Sequence, residues 1–154
     1  MSFSFGKASL SRLNTCHKDI QAIMYELIKI YDVSVFEGIR STERQLMLYN
    51  KGNSQLDGVH KKSKHQGSPD EDGNIVSYAI DMVPYKKGHP AFTVSQDNYR
   101  RFYFMMGLVY SIANRLYNEG IITHRVRFGL DWQMDMVYRH KSEFLDLPHW
   151  ELIK

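Results

Sequence analysis

Cysteine is almost missing from this 154-residue chain, long apolar runs are missing altogether, and neither sign of charge dominates. The lone Cys16 excludes an intramolecular disulfide and any metal cluster built on two or four thiolates, so a metal site must draw on histidine and carboxylate. No stretch approaches the ~18 consecutive apolar residues of a membrane span, and the amino-terminal sequence lacks the apolar core of a secretory signal. Synthesis and first residence in the cytosol are therefore expected. Lys+Arg 20 against Asp+Glu 17 leave a formal charge of +3 and a pI near 8.9. That balance favours an anionic partner but, without a basic stripe, is too mild to indicate a nucleic-acid binder.

What is present is the material of one globular domain. Hydrophobic residues make up 43% of the chain and charged ones 24%, and a chain of this size buries about 70% of its extended surface, enough for an ordinary core. Ser11 to Ile30 carries Leu13, Cys16, Ile20, Ile23, Met24, Leu27 and Ile28 at helical spacing, with Asn14 or Thr15 as a cap. Val33 to Arg40 has the β-branched content of a strand, and Thr42 to Asn50 the composition of a second helix ending before Gly52. Residues 51–74 read as a polar surface loop with a Lys61-Lys62-Ser63-Lys64 cluster and a turn-forming stretch from Gly67 to Asn74. Ile75 to Val83 reads as a strand with Tyr78, Ile80 and Met82 on one face and Ser77, Ala79 and Asp81 on the other. Asn98 to Tyr117 is the longest helix, its Met105-Met106 pair assigned to the core. Val126 to Leu130 is a short strand, and the segment from Asp146 to Leu152 is extended because Pro148 excludes a helix there. Helices and strands alternate without a βαβ rhythm, a repeat or a linker. The expected fold is α+β, with a small, mainly antiparallel sheet packed with helices in a single domain over residues 1–154.

Three positions combine the residue types of a zinc site: His65 at the edge of the polar loop, Asp81 in an apolar strand, and His149 between Pro148 and Trp150. An aspartate inside an apolar strand is costly unless it is paired or coordinated, and a buried histidine needs a hydrogen-bond partner or a metal. Their spacing matches no short local motif, so a solvated His65 and a turn residue at Asp81 stay open on spacing alone. His17, His60, His89, His124 and His140 read as surface residues.

Ser63-Lys64-His65, Ala79-Ile80-Asp81-Met82-Val83-Pro84 and Asp146-Leu147-Pro148-His149-Trp150-Glu151 together resemble the zinc D-alanyl-D-alanine peptidase superfamily, whose fold is shared with Hedgehog domains. Glu37 to Gln45, Leu48-Tyr49, Gly52-Asn53-Ser54 and Phe128-Gly129-Leu130-Asp131-Trp132 are similar to its phage-endolysin branch, the L-alanyl-D-glutamate peptidases. The agreement runs in order from about residue 10 to 151. Two departures stand out: an acidic insertion, Ser68 to Ser77, separates the histidine and aspartate ligands, and Asp131-Trp132-Gln133-Met134-Asp135 lacks the usual glycine and central acid. Lengthening a surface loop costs little, about 0.6 kcal/mol per doubling.

The resemblance implies zinc held by His65, Asp81 and His149, and hydrolysis of an amide bond in bacterial peptidoglycan. It implies Asp146 as general base, worth about 10²- to 10⁴-fold, with Glu151 as the rival base or as the acceptor for a ligand imidazole's other N–H. Trp150 is expected beside that shell. Arg40 is expected to stabilise the oxyanion or clamp a substrate carboxylate, its bland reading being a surface salt bridge to Glu37 or Glu43, and Ser63 to hydrogen-bond substrate. The implied protein is a monomeric phage endolysin without a cell-wall-binding repeat, made in the host cytoplasm and released to the periplasm through a separate pore. A D-alanyl-D-alanine carboxypeptidase and a non-catalytic zinc-stabilised module are the competing readings. Asp70-Glu71-Asp72-Gly73-Asn74 offers oxygen ligands for calcium but lacks the spacing of an EF-hand; a solvated acidic loop is its other reading.

Overall fold

The apolar stretch near the amino terminus forms two helices where the spacing predicts one. In the computed structural model, which describes residues 2–91, 96–137 and 145–154, α1 (Lys7–Leu13) ends at Asn14 and α2 (Lys18–Leu27) begins after His17. The break follows from side chains that satisfy the backbone locally. Thr15 Oγ1 donates to the Arg12 carbonyl, and His17 Nδ1 accepts from the Asp19 N–H at 3.0 Å, capping α2. The turn between them pairs with Ser77, whose N–H donates to the Thr15 carbonyl and whose carbonyl accepts from the His17 N–H.

That same pairing divides the strand expected over residues 75–83. Ile75–Val76 (β3) joins Ser68–Pro69 (β2) in a short hairpin within the segment read as a loop, and Ala79–Pro84 (β4) enters the main sheet. The other elements lie close to their expected places: β1 (Val33–Glu37), α3 (Thr42–Asn50), α4 (Gln96–Asn118), β5 (Arg125–Phe128) and β6 (His149–Ile153). β1, β4, β6 and β5 form a four-stranded sheet in that order, every pairing antiparallel.

Alternation along the strands gives the sheet two chemically different faces. Ile80, Met82, Val126, Phe128, Trp150 and Leu152 point into the core with Ile20, Ile23, Met24 and Leu27 of α2 and Phe102, Met105, Met106, Val109 and Leu116 of α4. Each fully buried large apolar side chain contributes about 1.5–3 kcal/mol. Trp150, fully buried, donates its Nε1–H to Met82 Sδ at 3.4 Å, so it belongs to the core and not to the face that carries Asp81 and His149. The opposite face carries Asp81, His149, Glu151 and Arg127 in facing pairs: Asp81 opposite His149, Ala79 opposite Glu151, and Arg127 opposite Glu151. Among the described residues no helix is long and apolar enough to cross a membrane.

Candidate metal centre

Antiparallel register brings two distant residues together, since Asp81 and His149 are direct cross-strand partners on adjacent central strands. His65 arrives from the polar loop. Its backbone carbonyl accepts from the Arg40 N–H at 2.8 Å, and its ring Nδ1 lies 2.7 Å from the Gly38 carbonyl. Gly38 is required at that point: a Cβ there would sit 2.2 Å from Thr15 Oγ1 and 2.4 Å from the Arg12 carbonyl, so a side chain would push the backbone off the end of α1.

The three donor atoms form a nearly equilateral triangle. His65 Nε2 lies 3.1 Å from Asp81 Oδ1 and 3.2 Å from His149 Nδ1, and His149 Nδ1 lies 3.1 Å from Asp81 Oδ1. Zinc bonds of about 2.0–2.1 Å in a tetrahedron separate ligands by about 3.3 Å, so the triangle fits. The tautomers fit as well. Nδ1–H of His65 donates to the Gly38 carbonyl and Nε2–H of His149 donates to Glu151 Oε2 at 2.9 Å, leaving one lone pair on each ring turned toward Asp81. Both imidazoles are buried.

The electrostatics follow from this crowding. Burial opposes ionisation of Asp81, yet the charges and hydrogen bonds of His65 and His149 hold its carboxyl far below the usual range. Burial also works against a charged His149, but Asp81 and Glu151 raise it to about 9. Asp146 behaves oppositely to Asp81. Burial, and then the negative charge of Asp81, push its carboxyl up, against the pull of His149, His65 and Arg40. Its backbone is fastened at the site: the Asp146 N–H donates to the Gly129 carbonyl at 2.8 Å and the Asp146 carbonyl accepts from the His149 N–H at 3.1 Å. Gly129 permits the approach, because a Cβ there would lie 2.3 Å from the Asp146 carbonyl oxygen.

Arg40 is nine-tenths buried, not a surface residue. Its Nη2 donates to Glu37 Oε2 at 2.6 Å and Asp81 Oδ2 at 3.3 Å, and Nη1 donates to Gln45 Oε1 at 2.7 Å. A bulge after Val35 sets Glu37 opposite Asp81 and so aims this cluster at the site. Burial disfavours the Glu37 charge, but Arg40 and Arg44 hold its carboxyl below the usual range. Glu151 is committed between His149 and Arg127, whose Nε lies 3.1 Å away. Trp132, not Trp150, lies beside His149, with ring centroids 5.4 Å apart, and the Arg127 guanidinium lies 5.4 Å from the indole centroid. The turn after Trp132 places Met134 and Met136 at φ of 59° and 61°, where glycine would be unstrained, and the Asp131 carboxylate braces it by accepting from the Asp135 and Met136 N–H groups. Ser63 is buried and its Oγ accepts from the His65 N–H at 3.2 Å.

Sequence reasoning missed Gln45 and Gln66, two buried amides that stitch the polar loop to α3. Gln45 donates to Ser54 Oγ and the Leu56 carbonyl while holding Arg40; Gln66 donates to Thr42 Oγ1 and the Gly58 carbonyl while accepting from the Ser63 N–H. Periodicity points the wrong way here, since α3 buries Gln45 and exposes Leu46, Met47 and Tyr49. Only the resemblance of the Arg40-to-Gln45 stretch marks it.

A second histidine cluster corrects the surface assignment of His17 and His124. His17 is fully buried and His124 half-buried, whereas His60 and His89 are exposed and His140 lies outside the described residues. His17, Asp19 and His124 converge, but their donor atoms are already engaged. His17 Nδ1 caps α2 and its Nε2 faces Glu71, while Asp19 Oδ2 accepts from the Thr123 and His124 N–H groups and contacts His124 Nδ1 at 2.8 Å. The acidic hairpin is likewise occupied. Asp70 Oδ1 accepts from the Asp72 and Asn74 N–H groups and Glu71 pairs with His17 and Lys18, so these carboxylates do not converge as calcium ligands.

The chain is similar in fold to the crystal structure of the Serratia marcescens L-Ala D-Glu endopeptidase ChiX, with a TM-score of 0.60 and 22% identity over 97% of this chain and 90% of that one. None of the curated proteins compared gives a significant match. The sequence profile of the phage L-alanyl-D-glutamate peptidases matches residues 1–153. The chain therefore belongs to the phage L-alanyl-D-glutamate peptidase family.

Proposed function

We propose that His65, Asp81 and His149 hold one zinc ion, and that this phage peptidase uses it to hydrolyse the L-alanyl-D-glutamate bond of peptidoglycan stem peptides. The observation that carries the reading is the triangle of donor atoms 3.1–3.2 Å apart, with both imidazole tautomers fixed from behind. Zinc bound there supplies a Lewis acid and an acidified water near neutrality.

The remaining work belongs to side chains of this protein. Asp146 takes a proton from the attacking water and returns it to the departing amine, a role suited to a carboxyl whose proton affinity burial and Asp81 have increased. Glu151 is unsuited to that role because His149 and Arg127 occupy its oxygens. Arg40 holds Asp81 through Oδ2 and so orients Oδ1 toward the two imidazoles. Arg40 also brings positive charge beside Asp81, suited to the oxyanion or to a substrate carboxylate. Ser63 lies beside His65, its Oγ accepting from the His65 N–H.

The protein acts as a monomer made in the host cytoplasm and reaches the periplasm at lysis through a separate pore. Product masses from purified peptidoglycan test the bond assignment. Stem peptides beginning with D-glutamate are expected; loss of terminal D-alanine alone would make the chain a carboxypeptidase, and no product would leave a zinc-binding module.

A further inference from the structure

β5 and the turn that follows it reach His149 by three routes. The Gly129 N–H donates to the His149 carbonyl at 2.8 Å, Trp132 lies beside the imidazole, and Arg127 reaches the ring's Nε2 by way of Glu151. The first route holds the backbone. The other two bear on the ring, and Arg127 takes part in both. Antiparallel register sets Arg127 opposite Glu151. Arg127 donates through Nε at 3.1 Å, and also through Nη2, to Glu151 Oε1, which leaves Oε2 to accept from the His149 Nε2–H at 2.9 Å. Glu151 is only 4% exposed, and a carboxylate so deep is costly to keep charged against a neutral imidazole alone, so the guanidinium supplies the missing counter-charge. The same guanidinium lies 5.4 Å from the Trp132 centroid, and the Trp132 and His149 rings are 5.4 Å apart with their planes inclined at 35°. Arg127, Glu151, His149 and Trp132 thus close a ring of contacts. An ordinary cross-strand ion pair on a sheet surface stops at its two partners; this one is continued from both ends to a single imidazole.

We propose that Arg127 is a positioning residue for His149, fixing the angle of that ring through Glu151 and through Trp132. The proposal rests on the zinc reading above and adds what keeps the ligand ring aimed. The group behind a metal-bound imidazole sets its tautomer and orientation, and that group must itself be held. Arginine suits the task. Its planar fork presents two N–H groups to one carboxylate while its flat face lies against an aromatic ring, and its charge is permanent. Lysine would bring the charge without the fork or the flat face. Because Arg127, Gly129 and Trp132 all belong to β5 and its exit turn, a single segment steadies the backbone and the ring of His149 together.

Arg127→Gln, made alone and together with Glu151→Gln, tests this through zinc affinity, measured by competition with a chelator of known strength. The melting temperature of the zinc-free protein is measured alongside. The Arg127 side chain is 37% exposed, so the fold is expected to survive and that temperature to stay near wild type. Zinc binding is expected to weaken about tenfold in Arg127→Gln, and Arg127→Lys, which returns the positive charge beside Glu151, to recover part of the loss. In the Glu151→Gln background the further loss is expected to shrink well below tenfold, because the two residues act on the ring as one network. Wild-type affinity in Arg127→Gln, or the same tenfold loss repeated in the Glu151→Gln background, would overturn the role of Arg127 while leaving the zinc reading intact. Folded wild type that binds no zinc would overturn the zinc reading and this role with it.

Discussion

Glu151 Oε2 stands 2.9 Å from His149 Nε2, and this contact decides which nitrogen of the ring is free to face Asp81. Glu151 is itself buried and tied to Arg127 across the β5–β6 pair, so the ring is fixed through a chain of three side chains. Glu151→Gln keeps the shape but removes the charge. Zinc affinity is expected to fall by about 10- to 100-fold, measured by competition with a chelator of known strength; unchanged affinity would remove Glu151 from the support of the site.

Asp146→Asn removes the proposed proton acceptor and leaves His65, Asp81 and His149 in place. Zinc content and melting temperature are expected to stay near wild type, while lysis of chloroform-treated Gram-negative cells falls by about 10²- to 10⁴-fold. Undiminished lysis would transfer the base role to another carboxylate.

Gly129→Ala tests the positioning of that base from outside the metal site. The added Cβ would meet the Asp146 carbonyl oxygen at 2.3 Å and the Asp146 Cβ at 2.9 Å, so the backbone carrying Asp146 must move. Misplacing a catalytic group by about 1 Å costs about 100-fold. A drop in kcat of that order with bound zinc retained is expected. Full activity would mean the base does not depend on this packing.

The acidic hairpin gives a pH prediction away from the metal. Its own backbone N–H, with further help from His17 and Lys18, lowers the Glu71 carboxyl to about 2. A depressed carboxyl stabilises the fold fully above its unfolded pKa, about 4.3, and this contribution is lost as pH falls toward the folded value. Wild type should therefore melt higher than Glu71→Gln at pH 7, and the two should converge near pH 2. A difference independent of pH would show that the charge of Glu71 is not what holds the hairpin.

Much of the fold was legible because its helices and strands carry their core residues at regular spacing, as in α4 and β5, while α3 was legible from its helix-forming composition alone. The break at Asn14 to His17 was not, because apolar periodicity continues through it while caps and the pairing with Ser77 interrupt the backbone. Residue type marked His65, Asp81 and His149 as candidates and resemblance chose between the readings, since cross-strand register, invisible to spacing, is what sets Asp81 opposite His149. Trp150 was misplaced for the same reason: neighbours in a strand face opposite ways, so the residue beside His149 in sequence lies in the core and Trp132 takes its place.

Zinc bound per folded chain tests the central claim most directly, measured by elemental analysis on wild type and on His65→Ala, Asp81→Ala and His149→Ala. One zinc ion in wild type and less than about a tenth of one in each variant is the expected result, with stability falling alongside because binding and folding energies are linked. A full equivalent retained by any of the three, or none held by the folded wild type, would contradict the account.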